Sequence, residues 1–490
     1  MKKLTAVFCF LAVLFAVNNY GQTMNDALKL SDIGLGSNAR ALGMGNAYHA
    51  LSDDFSGNSF NPAGLGLVRR MEFSGSLNYN QFNNETTLFN TATKADNGVM
   101  DFGAINFVFP FPTFRGSLVF GVGYTKERSL NNIVGFDGFN EGYNSMIQNL
   151  TFSNNVDQQN IAYYTGVSYM PREDAPDTTD IAGGLKQSGE YKTEGNIGKW
   201  AFSGAVEVAK NAFLGATLNL YTGSMKWNSD FYEDDIKNYY GVNFPLTPAD
   251  PNTDDFRYFY YNQMLDWDIS GYDLKLGFLV QPTKFARFGL SIKFPSTFTI
   301  KENYSIYGEA SYGTGALYTT DDPEVASHLT TEFESEYDIV TPYVFTGGAS
   351  FNVRGLILSG DVSVIDFTTM EFSDGLNEGF MRDLNKDIEN SFRTVVNFNL
   401  GAEYAIPQIG MRLRGGFIYN PSPYEGDPSE RDRKFVTGGI GLLLNESVAL
   451  DAAYAHGWWK DIGDNYGSDV SRTFQDISVN NLIFTFSYRF

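Results

Sequence analysis

The last ten residues of the chain, "NLIFTFSYRF", alternate between apolar side chains and mostly polar ones. In an extended strand, one face then carries only apolar or aromatic side chains, namely Leu482, Phe484, Phe486, Tyr488 and Phe490. The opposite face is mostly polar, with Thr485, Ser487 and Arg489. Such a strand fits lipid on one side and a wet lumen on the other, so the alternation favours a transmembrane β-barrel.

The same period of two recurs from residue 69 onward. It predicts fourteen strands, near 69–80, 100–110, 116–126, 199–209, 212–226, 268–282, 285–300, 337–353, 355–372, 391–406, 409–420, 434–445, 447–457 and 479–490. Most of them reach the roughly 9–11 residues that a tilted membrane strand needs. Short turns such as "PTKF" and "PQIG" alternate with long polar connections at 81–99, 227–267, 301–336, 373–390 and 458–478. The predicted fold is therefore an all-β, 14-stranded antiparallel barrel with short periplasmic turns and long external loops.

One segment complicates the strand count. Residues 159–170, "QNIAYYTGVSYM", have the composition of a further strand. The short turn that joins 199–209 to 212–226 fixes the strand at 199–209 as descending. A single extra strand before it would make that strand ascend. We therefore expect one long external excursion over 127–198, partly helical, and keep a 16-stranded barrel as the alternative.

The face opposite the apolar one distinguishes a barrel from a soluble β-sandwich. It carries charges of both signs: Glu207, Asp273, Lys275, Lys293, Asp361, Glu403, Arg412, Arg414, Asp451 and Arg489. The inner face of a sandwich is apolar and has few charges. A lumen with paired charges accommodates this pattern better.

The first residues predict export. A basic start, "MKK", is followed by an apolar run from Leu4 to Val17 that is too short to span a membrane. We expect a signal peptide over 1–21, with cleavage near Gly21. The only cysteine, Cys9, lies inside it, so the mature chain has no thiol chemistry. The expected location is the outer membrane of a Gram-negative bacterium, as a multi-pass β-barrel.

Composition narrows the possible partners. Aromatic residues make up 16% of the chain and the formal net charge is −22. Nucleic acids and anionic membrane surfaces attract basic patches, so a nucleic-acid partner is not expected. The expected partners are a hydrophobic small molecule and the lipid of the outer membrane.

Between the signal peptide and the first strand lies "GSNARALGMGNAYHALSDDFSGNSFNPAGL", which is rich in glycine and small polar residues. Entering from the periplasmic side, it can fold compactly inside the lumen as a plug. This segment resembles the start of the FadL-type family of outer-membrane transporters for long-chain fatty acids, which includes toluene and xylene channels. The resemblance implies an N-terminal hatch over 22–68 that ends with Asn61, Pro62, Ala63 and Gly64. Arg40 is expected to tether the hatch to the barrel wall.

The resemblance also implies a function. Members of this family take up hydrophobic molecules passively, by capture at the outer surface, binding in the lumen and release through the barrel wall when the hatch moves. No cofactor or energy-coupling motif is implied. Fatty acid and aromatic hydrocarbon remain open as substrates.

Four basic residues of the predicted lumen face are candidates for a ligand's carboxylate: Lys275, Lys293, Arg412 and Arg414. For the two arginines we favour pairing with a neighbouring carboxylate such as Glu403. The aromatic stretch from Asp255 to Trp267 is either a capture groove or part of the membrane-interface girdle.

Other functions have weaker support in the sequence. The three histidines, His49, His328 and His456, are widely scattered, so neither a metal site nor an enzyme is expected. A structural or secretion-accessory barrel that binds a protein partner is one alternative, and haem uptake is another. The sequence leaves the oligomeric state open.

Overall fold

The structure is a computed structural model that describes residues 22–153, 155–172, 175–467 and 470–490. The expected signal peptide lies outside the described residues. The described chain contains six α-helices: α1 (Met24–Ser31), α2 (Ala39–Gly43), α3 (Met146–Thr151), α4 (Val156–Tyr164), α5 (Pro323–Ala326) and α6 (Glu378–Ser391). None of these described helices is long and apolar enough to cross a membrane.

The strands form one continuous antiparallel sheet of nineteen segments. They are β1 (Glu72–Leu88), β2 (Thr91–Phe111), β3 (Leu118–Ser129), β4 (Asn132–Phe139), β5 (Lys186–Ala209), β6 (Ala212–Asp234), β7 (Phe256–Thr283), β8 (Ala286–Lys293), β9 (Thr297–Tyr312), β10 (Leu317–Thr319), β11 (Glu332–Val340), β12 (Val344–Val353), β13 (Leu356–Asp366), β14 (Glu371–Asp374), β15 (Thr394–Ile406), β16 (Met411–Asn420), β17 (Arg433–Leu443), β18 (Val448–Asp464) and β19 (Arg472–Arg489).

The sheet closes on itself because the last strand, β19, pairs with the first, from Glu72↔Arg489 to Thr87↔Phe474. Four wall strands consist of two segments each: β3 with β4, β8 with β9, β11 with β12, and β13 with β14. The short β10 only extends β9. Nineteen segments therefore make fourteen wall strands, and the predicted 14-stranded barrel is confirmed.

Side chains along each strand point alternately outward and into the lumen, so each strand has an outer and an inner face. In β19, Phe484, Phe486 and Tyr488 are exposed on the outside, whereas Thr485 and Ser487 are buried toward the lumen. In a closed barrel every backbone group of the wall can pair with a neighbouring strand, which the interior of a bilayer requires.

Three strands that the sequence predicts as continuous are interrupted. The predicted strand 285–300 breaks between β8 and β9, and 337–353 breaks between β11 and β12. Both breaks contain a proline, Pro295 or Pro342, which has no N–H to donate to the ladder. The predicted strand 355–372 is broken by a 3₁₀ turn at Phe367–Thr369.

Several predicted loops are strands. The connection 81–99 is a continuous hairpin of β1 and β2 that turns at Phe89 and Asn90, both with positive φ. Likewise β6 and β7 extend to Asp234 and from Phe256, into the predicted loop 227–267. Above the lipid, the outward face is polar too, so the alternation that reveals a membrane strand disappears from the sequence.

The excursion over 127–198 is largely as predicted, with one correction. Helices α3 and α4 lie within it, and the first half of 159–170 lies on α4, so this segment is not a fifteenth strand. However, β4 and the outer half of β5 occupy much of the rest. The helices pack into an apolar cluster at the outer end of the barrel, together with Phe231 and Phe259.

The segment before β1 fills the lumen. Helix α1 lies in the outer half, where Ala27 and Leu30 are fully buried against an apolar cluster that includes Trp267 and Phe298. Helix α2 packs on β16 to β19, and the 3₁₀ helix Pro62–Leu67 packs on β5 to β7. Of the predicted hatch 22–68, residues 39–68 form the periplasmic half of this plug, and from here on the word hatch refers to these residues.

Lumen-facing glycines let the hatch backbone touch the wall. A Cβ added at Gly277 would lie 2.1 Å from Asn61 Oδ1 and 2.9 Å from Pro62 Cδ. On the other side of the lumen, a Cβ at Gly416 would lie 2.2 Å from the backbone nitrogen of Gly45. Any side chain at these wall positions would displace the hatch.

The predicted hatch motif, Asn61 to Gly64, helps to hold the hatch against the barrel wall. Asn61 is fully buried, and its amide donates to the carbonyl oxygens of His49 and Phe278, both at 3.0 Å. Its Oδ1 accepts the backbone N–H of Ala63 at 3.1 Å, which caps the 3₁₀ helix that Pro62 begins. At Gly64, an added Cβ would lie 2.4 Å from the Ser52 carbonyl oxygen.

Arg40 connects the hatch to the wall. Its guanidinium donates to both oxygens of Glu403 on β15, at 3.1 and 3.2 Å, and to Asp53 in the hatch at 2.7 Å. Arg287 on β8 holds the other oxygen of Asp53 at 2.8 Å. Burial by itself raises the pKa of Asp53, but Arg40 and Arg287 hold that pKa well below its ordinary value.

We predict that Gly277→Ala displaces the Asn61–Pro62 turn and lowers the free energy of unfolding by about 1–3 kcal/mol, as overpacking does. The matched control is Gly204→Ala on the outer face of β5, where an added Cβ would meet its nearest atom at 3.7 Å. The control is expected to change stability by less than about 0.5 kcal/mol. Urea titration of the folded barrel in lipid measures both, and equal effects would contradict the close contact.

Arg40→Met is predicted to loosen the hatch by about 3 kcal/mol, because it removes one partner of a buried ion pair. The readout is the rate at which a thiol reagent labels a cysteine placed at Ala50, which is fully buried in the hatch. Labelling should rise by about 100-fold. The control, Arg70→Met, removes a solvent-exposed pair with Glu446 and should leave the rate nearly unchanged. Equal labelling in the two variants would show that Arg40 does not hold the hatch.

Candidate functional site

A cavity of about 130 Å³ lies in the lumen between the plug and the wall. The plug contributes apolar side chains to it, among them Ile33, Leu35 and Phe60. The wall contributes both lysines that the sequence predicts to face the lumen, Lys275 and Lys293. The two residues are direct register partners on β7 and β8, so the "PTKF" turn places their side chains on the same face.

The lysines belong to a charge cluster in which Lys199 and Asp273 are buried and the other members are half-buried. Lys199 on β5 pairs with Glu127 at 2.7 Å, and Lys293 pairs with Asp273 at 3.5 Å. The nitrogen of Lys275 donates to the backbone carbonyl of Ser59 in the hatch. Among the described residues, no carboxylate oxygen lies within 4.0 Å of it. Three amino groups thus face two carboxylates, and the cluster has one cation more than it has anions.

Asp273 is held in place by neutral groups as well. It accepts hydrogen bonds from Asn219 Nδ2 at 2.6 Å and from the Tyr221 hydroxyl at 2.7 Å. The amino groups of Lys199 and Lys293 lie 6.0 and 5.8 Å from the centre of the Tyr221 ring. Lys293 is the lysine that pairs with Asp273, and among the described residues Lys275 does not lie within 4.0 Å of this carboxylate.

The other two predicted cations lie elsewhere. Arg414 is fully buried and donates to Glu403 at 2.7 Å and to Asp451 at 2.6 Å, which is the pairing that the sequence favoured. Among the described residues, no carboxylate oxygen lies within 4.0 Å of Arg412, so the pairing favoured for both arginines is found for Arg414 alone. Arg412 lines a separate cavity of about 20 Å³ nearer the periplasmic end, together with Arg40. Neither arginine lines the cavity that holds Lys275 and Lys293.

Sequence reasoning missed three charged residues of this site. Lys199 shares the inward face of its strand with Ala201 and Ser203, so alternation alone was enough to find it. Glu127 and Arg128 also line the cavity, but they follow a β-bulge where the alternation of β3 fails.

A second cavity, of about 140 Å³, lies on the far side of the plug loop 32–36. It shares Glu127 and Arg128 with the first and extends to Lys126 and Ser129 on β3. The two cavities therefore flank one short loop of the plug.

The second cavity lies beside an interruption of the wall. The ladder between β2 and β3 runs from Phe111↔Leu118 only to Ala104↔Thr125. Farther out, β3 pairs with β5 alone, and β4 turns into the lumen, where Gly135 approaches Ala95 of β2. Among the described pairings, residues 91–103 of β2 have no strand partner on this edge. We call this interruption the ladder gap.

The aromatic stretch from Asp255 to Trp267 lies mostly on β7. Its inward rings, including Phe256, Phe259 and Trp267, are buried in the apolar clusters of the outer half of the barrel. This stretch therefore builds the apolar interior above the cavity.

Comparison with known proteins identifies the family of the chain. The model of one family, described as outer membrane protein transport protein (OMPP1/FadL/TodX), matches residues 20–490. No curated protein matches the sequence.

Solved structures share the fold at low sequence identity. A FadL homologue of Pseudomonas aeruginosa superposes with a TM-score of 0.56 at 13% identity, covering 94% of this chain and 99% of that one. The toluene transporter TodX of Pseudomonas putida gives 0.54 at 12% identity, with 94% and 99% covered. The toluene transporter TbuX of Ralstonia pickettii gives 0.50 at 15% identity, with 93% and 98% covered.

The family match covers nearly the whole chain, and the fourteen-stranded barrel with its lumen plug agrees with it. The resemblance read from the hatch sequence is thereby confirmed. This chain belongs to the outer membrane protein transport protein family (OMPP1/FadL/TodX).

Proposed function

We propose that this outer-membrane channel carries amphipathic carboxylates, long-chain fatty acids above all, passively through its lumen. The observation that carries the proposal is Lys275, a half-buried lysine without a carboxylate partner among the described residues, which borders a partly apolar cavity. An ammonium that is partly removed from water is unfavourable unless it is paired. A ligand carboxylate supplies the missing anion.

The apolar part of such a ligand has a suitable environment. Its tail meets Ile33, Leu35 and Phe60 at the cavity, and the apolar cluster around α1 lies farther out. Burial contributes roughly 0.8 kcal/mol per methylene, and a charged hydrogen bond to the carboxylate adds about 1.5–3 kcal/mol. An aromatic hydrocarbon gains the first contribution but not the second, so the charge cluster favours an acid.

Release through the wall fits the arrangement of the cavities. The hatch fills the periplasmic half of the lumen, whereas the second cavity reaches the end of β3 at the ladder gap. A ligand that moves from the first cavity past loop 32–36 arrives beside this gap. We therefore propose that it leaves sideways into the membrane, where its tail is soluble.

This proposal assigns no catalytic step to the protein. Its cavities need only bind, orient and release the ligand, and movement down a concentration gradient needs no energy coupling. A protein partner would leave the amino group of Lys275, which has no carboxylate partner among the described residues, unexplained.

We predict that the lumen binds oleic acid at least about tenfold more tightly than oleyl alcohol, which has the same tail without the charge. Lys275→Gln should abolish this preference and leave the affinity for the alcohol nearly unchanged. The matched control is Lys94→Gln, which removes an exposed lysine paired with Glu85 on the outer part of the barrel. Titration of the purified barrel in detergent measures the affinity of each of the three proteins for both ligands. A wild-type barrel that binds acid and alcohol equally, or a preference that survives Lys275→Gln, would refute the proposal.

A further inference from the structure

The short turns at the periplasmic end of the barrel carry basic side chains, although the chain as a whole has a formal net charge of −22. These turns and the entry to β1 are the segments 69–71, 112–117, 210–211, 284–285, 354–355, 407–410 and 444–447. They contain six basic residues, Arg69, Arg70, Arg115, Lys210, Lys284 and Arg354, but only one acidic residue, Glu446. We call the six basic residues the basic rim.

The charges of the basic rim are accessible and largely unmatched. All six residues are exposed. Arg70 pairs with Glu446 at 3.5 Å, and both side chains of this pair lie at the surface. Among the described residues, no carboxylate oxygen lies within 4.0 Å of the other five basic side chains. The rim therefore keeps an uncompensated positive charge at the surface of the barrel.

Apolar neighbours place the basic rim at the boundary of the bilayer. Val353 directly precedes Arg354, Phe285 directly follows Lys284, and both apolar side chains are exposed. Phe114, in the turn between β2 and β3, is exposed as well. Aromatic side chains are typical of the level of the lipid headgroups. At this depth a lysine or arginine lays its alkyl stem along the apolar surface and extends its charge to the headgroups.

The basic rim follows a wide arc of the barrel instead of forming a patch on one side. Its members lie before β1 and in the turns β2–β3, β5–β6, β7–β8 and β12–β13. The arc thus extends from the first to the ninth of the fourteen wall strands. A protein that docks beside the barrel would contact one sector of it, whereas a lipid leaflet surrounds the whole wall. The distribution of the charges therefore favours lipid as the partner.

One member of the rim occupies a position that its backbone does not favour. Arg354 has a φ of 54°, in the left-handed region, within the two-residue turn that it forms with Gly355. Such hairpin turns favour asparagine, aspartate or glycine, and other side chains are strained there. The turn itself thus gives no reason for an arginine at this position, whereas an anionic partner does.

We propose that the basic rim binds the phosphate headgroups of anionic phospholipids, of the phosphatidylglycerol kind, in the periplasmic leaflet of the outer membrane. Each basic side chain attracts a negatively charged headgroup, and the exposed apolar neighbours hold the turns at the same depth. The net charge of the chain conceals this surface, because its 57 acidic residues outnumber its 35 basic ones. The inference does not depend on the proposed ligand of the lumen.

The first test measures how strongly two lipids associate with the barrel. The folded protein is reconstituted in phosphatidylcholine vesicles, and spin-labelled phosphatidylglycerol or spin-labelled phosphatidylcholine is added as the probe. Electron paramagnetic resonance gives the fraction of each probe whose motion the protein restricts. The rim variant combines Arg115→Gln, Lys210→Gln, Lys284→Gln and Arg354→Gln.

The matched control removes the same number of positive charges at the other end of the barrel. It combines Lys94→Gln, Lys192→Gln, Lys237→Gln and Lys460→Gln. Each of these lysines reaches the surface and pairs with a carboxylate, so its charge is already matched. Because all the substitutions are at accessible positions, both proteins are expected to fold, and the heat-dependent shift of the barrel in gel electrophoresis verifies this.

The wild-type protein and the control are expected to prefer phosphatidylglycerol over phosphatidylcholine by about twofold or more, and the rim variant should associate with both lipids equally. A rim variant that retains the preference would overturn the proposal. Equal loss in the control would overturn the location of the site, since net charge alone would then explain the preference. A wild-type protein without any preference would overturn the anionic lipid as the partner.

The second test varies the ionic strength. The preference of the wild-type protein should largely disappear when the salt concentration rises from about 0.1 M to about 1 M, because the Debye length falls from about 10 Å to about 3 Å. A preference that is insensitive to salt would contradict an attraction between exposed charges.

Discussion

The bilayer forces every backbone N–H and C=O of the wall to find a partner, and the rest of this structure depends on that constraint. Pairing of β1 with β19 closes the sheet and removes both of its edges. Residues 91–103 of β2 then stand out, because among the described pairings they have a strand partner on the β1 side but none on the β3 side, and an unpaired edge is unfavourable. The inward turn of β3 and β4 covers this edge from the lumen side, and the buried pair of Lys126 and Asp101 crosses it.

Closure also creates a lumen that the chain must fill. A polar lumen face without contents would admit water and small solutes, so the N-terminal segment occupies it from α1 to Val68. The wall makes room with glycines such as Gly277 and Gly416, and Arg40 supplies a charged tether. Carboxylates match Arg40, Arg287 and Arg414 in this way. The cluster around Lys275 is not fully matched, and it lies where the plug leaves two cavities.

A strand can be predicted from the sequence only where its two faces differ in polarity. Where lipid lies outside, apolar and polar residues alternate, and the sequence predicted fourteen strands and the shared face of Lys275 and Lys293. Above the membrane both faces are polar, so the hairpin that turns at Phe89 and Asn90 looked like a loop. Pro295 and Pro342 lie at the breaks in two of the predicted strands. The breaks were not predicted because apolar and polar residues continue to alternate on both sides of each proline.

The site was harder to predict than the fold. Glu127 and Arg128 lie at a bulge, where neighbouring side chains no longer alternate, and Arg414 resembles Lys275 in sequence but is paired on both sides. Only the three-dimensional arrangement separates a matched cation from an unmatched one. The most direct test of the central claim is a crystal structure with a long-chain fatty acid brominated at its far end. We predict carboxylate oxygens about 2.7–2.9 Å from Lys275 Nζ and an anomalous bromine peak among the apolar side chains of the lumen. A carboxylate bound outside the lumen, with Lys275 still on the Ser59 carbonyl, would contradict the account.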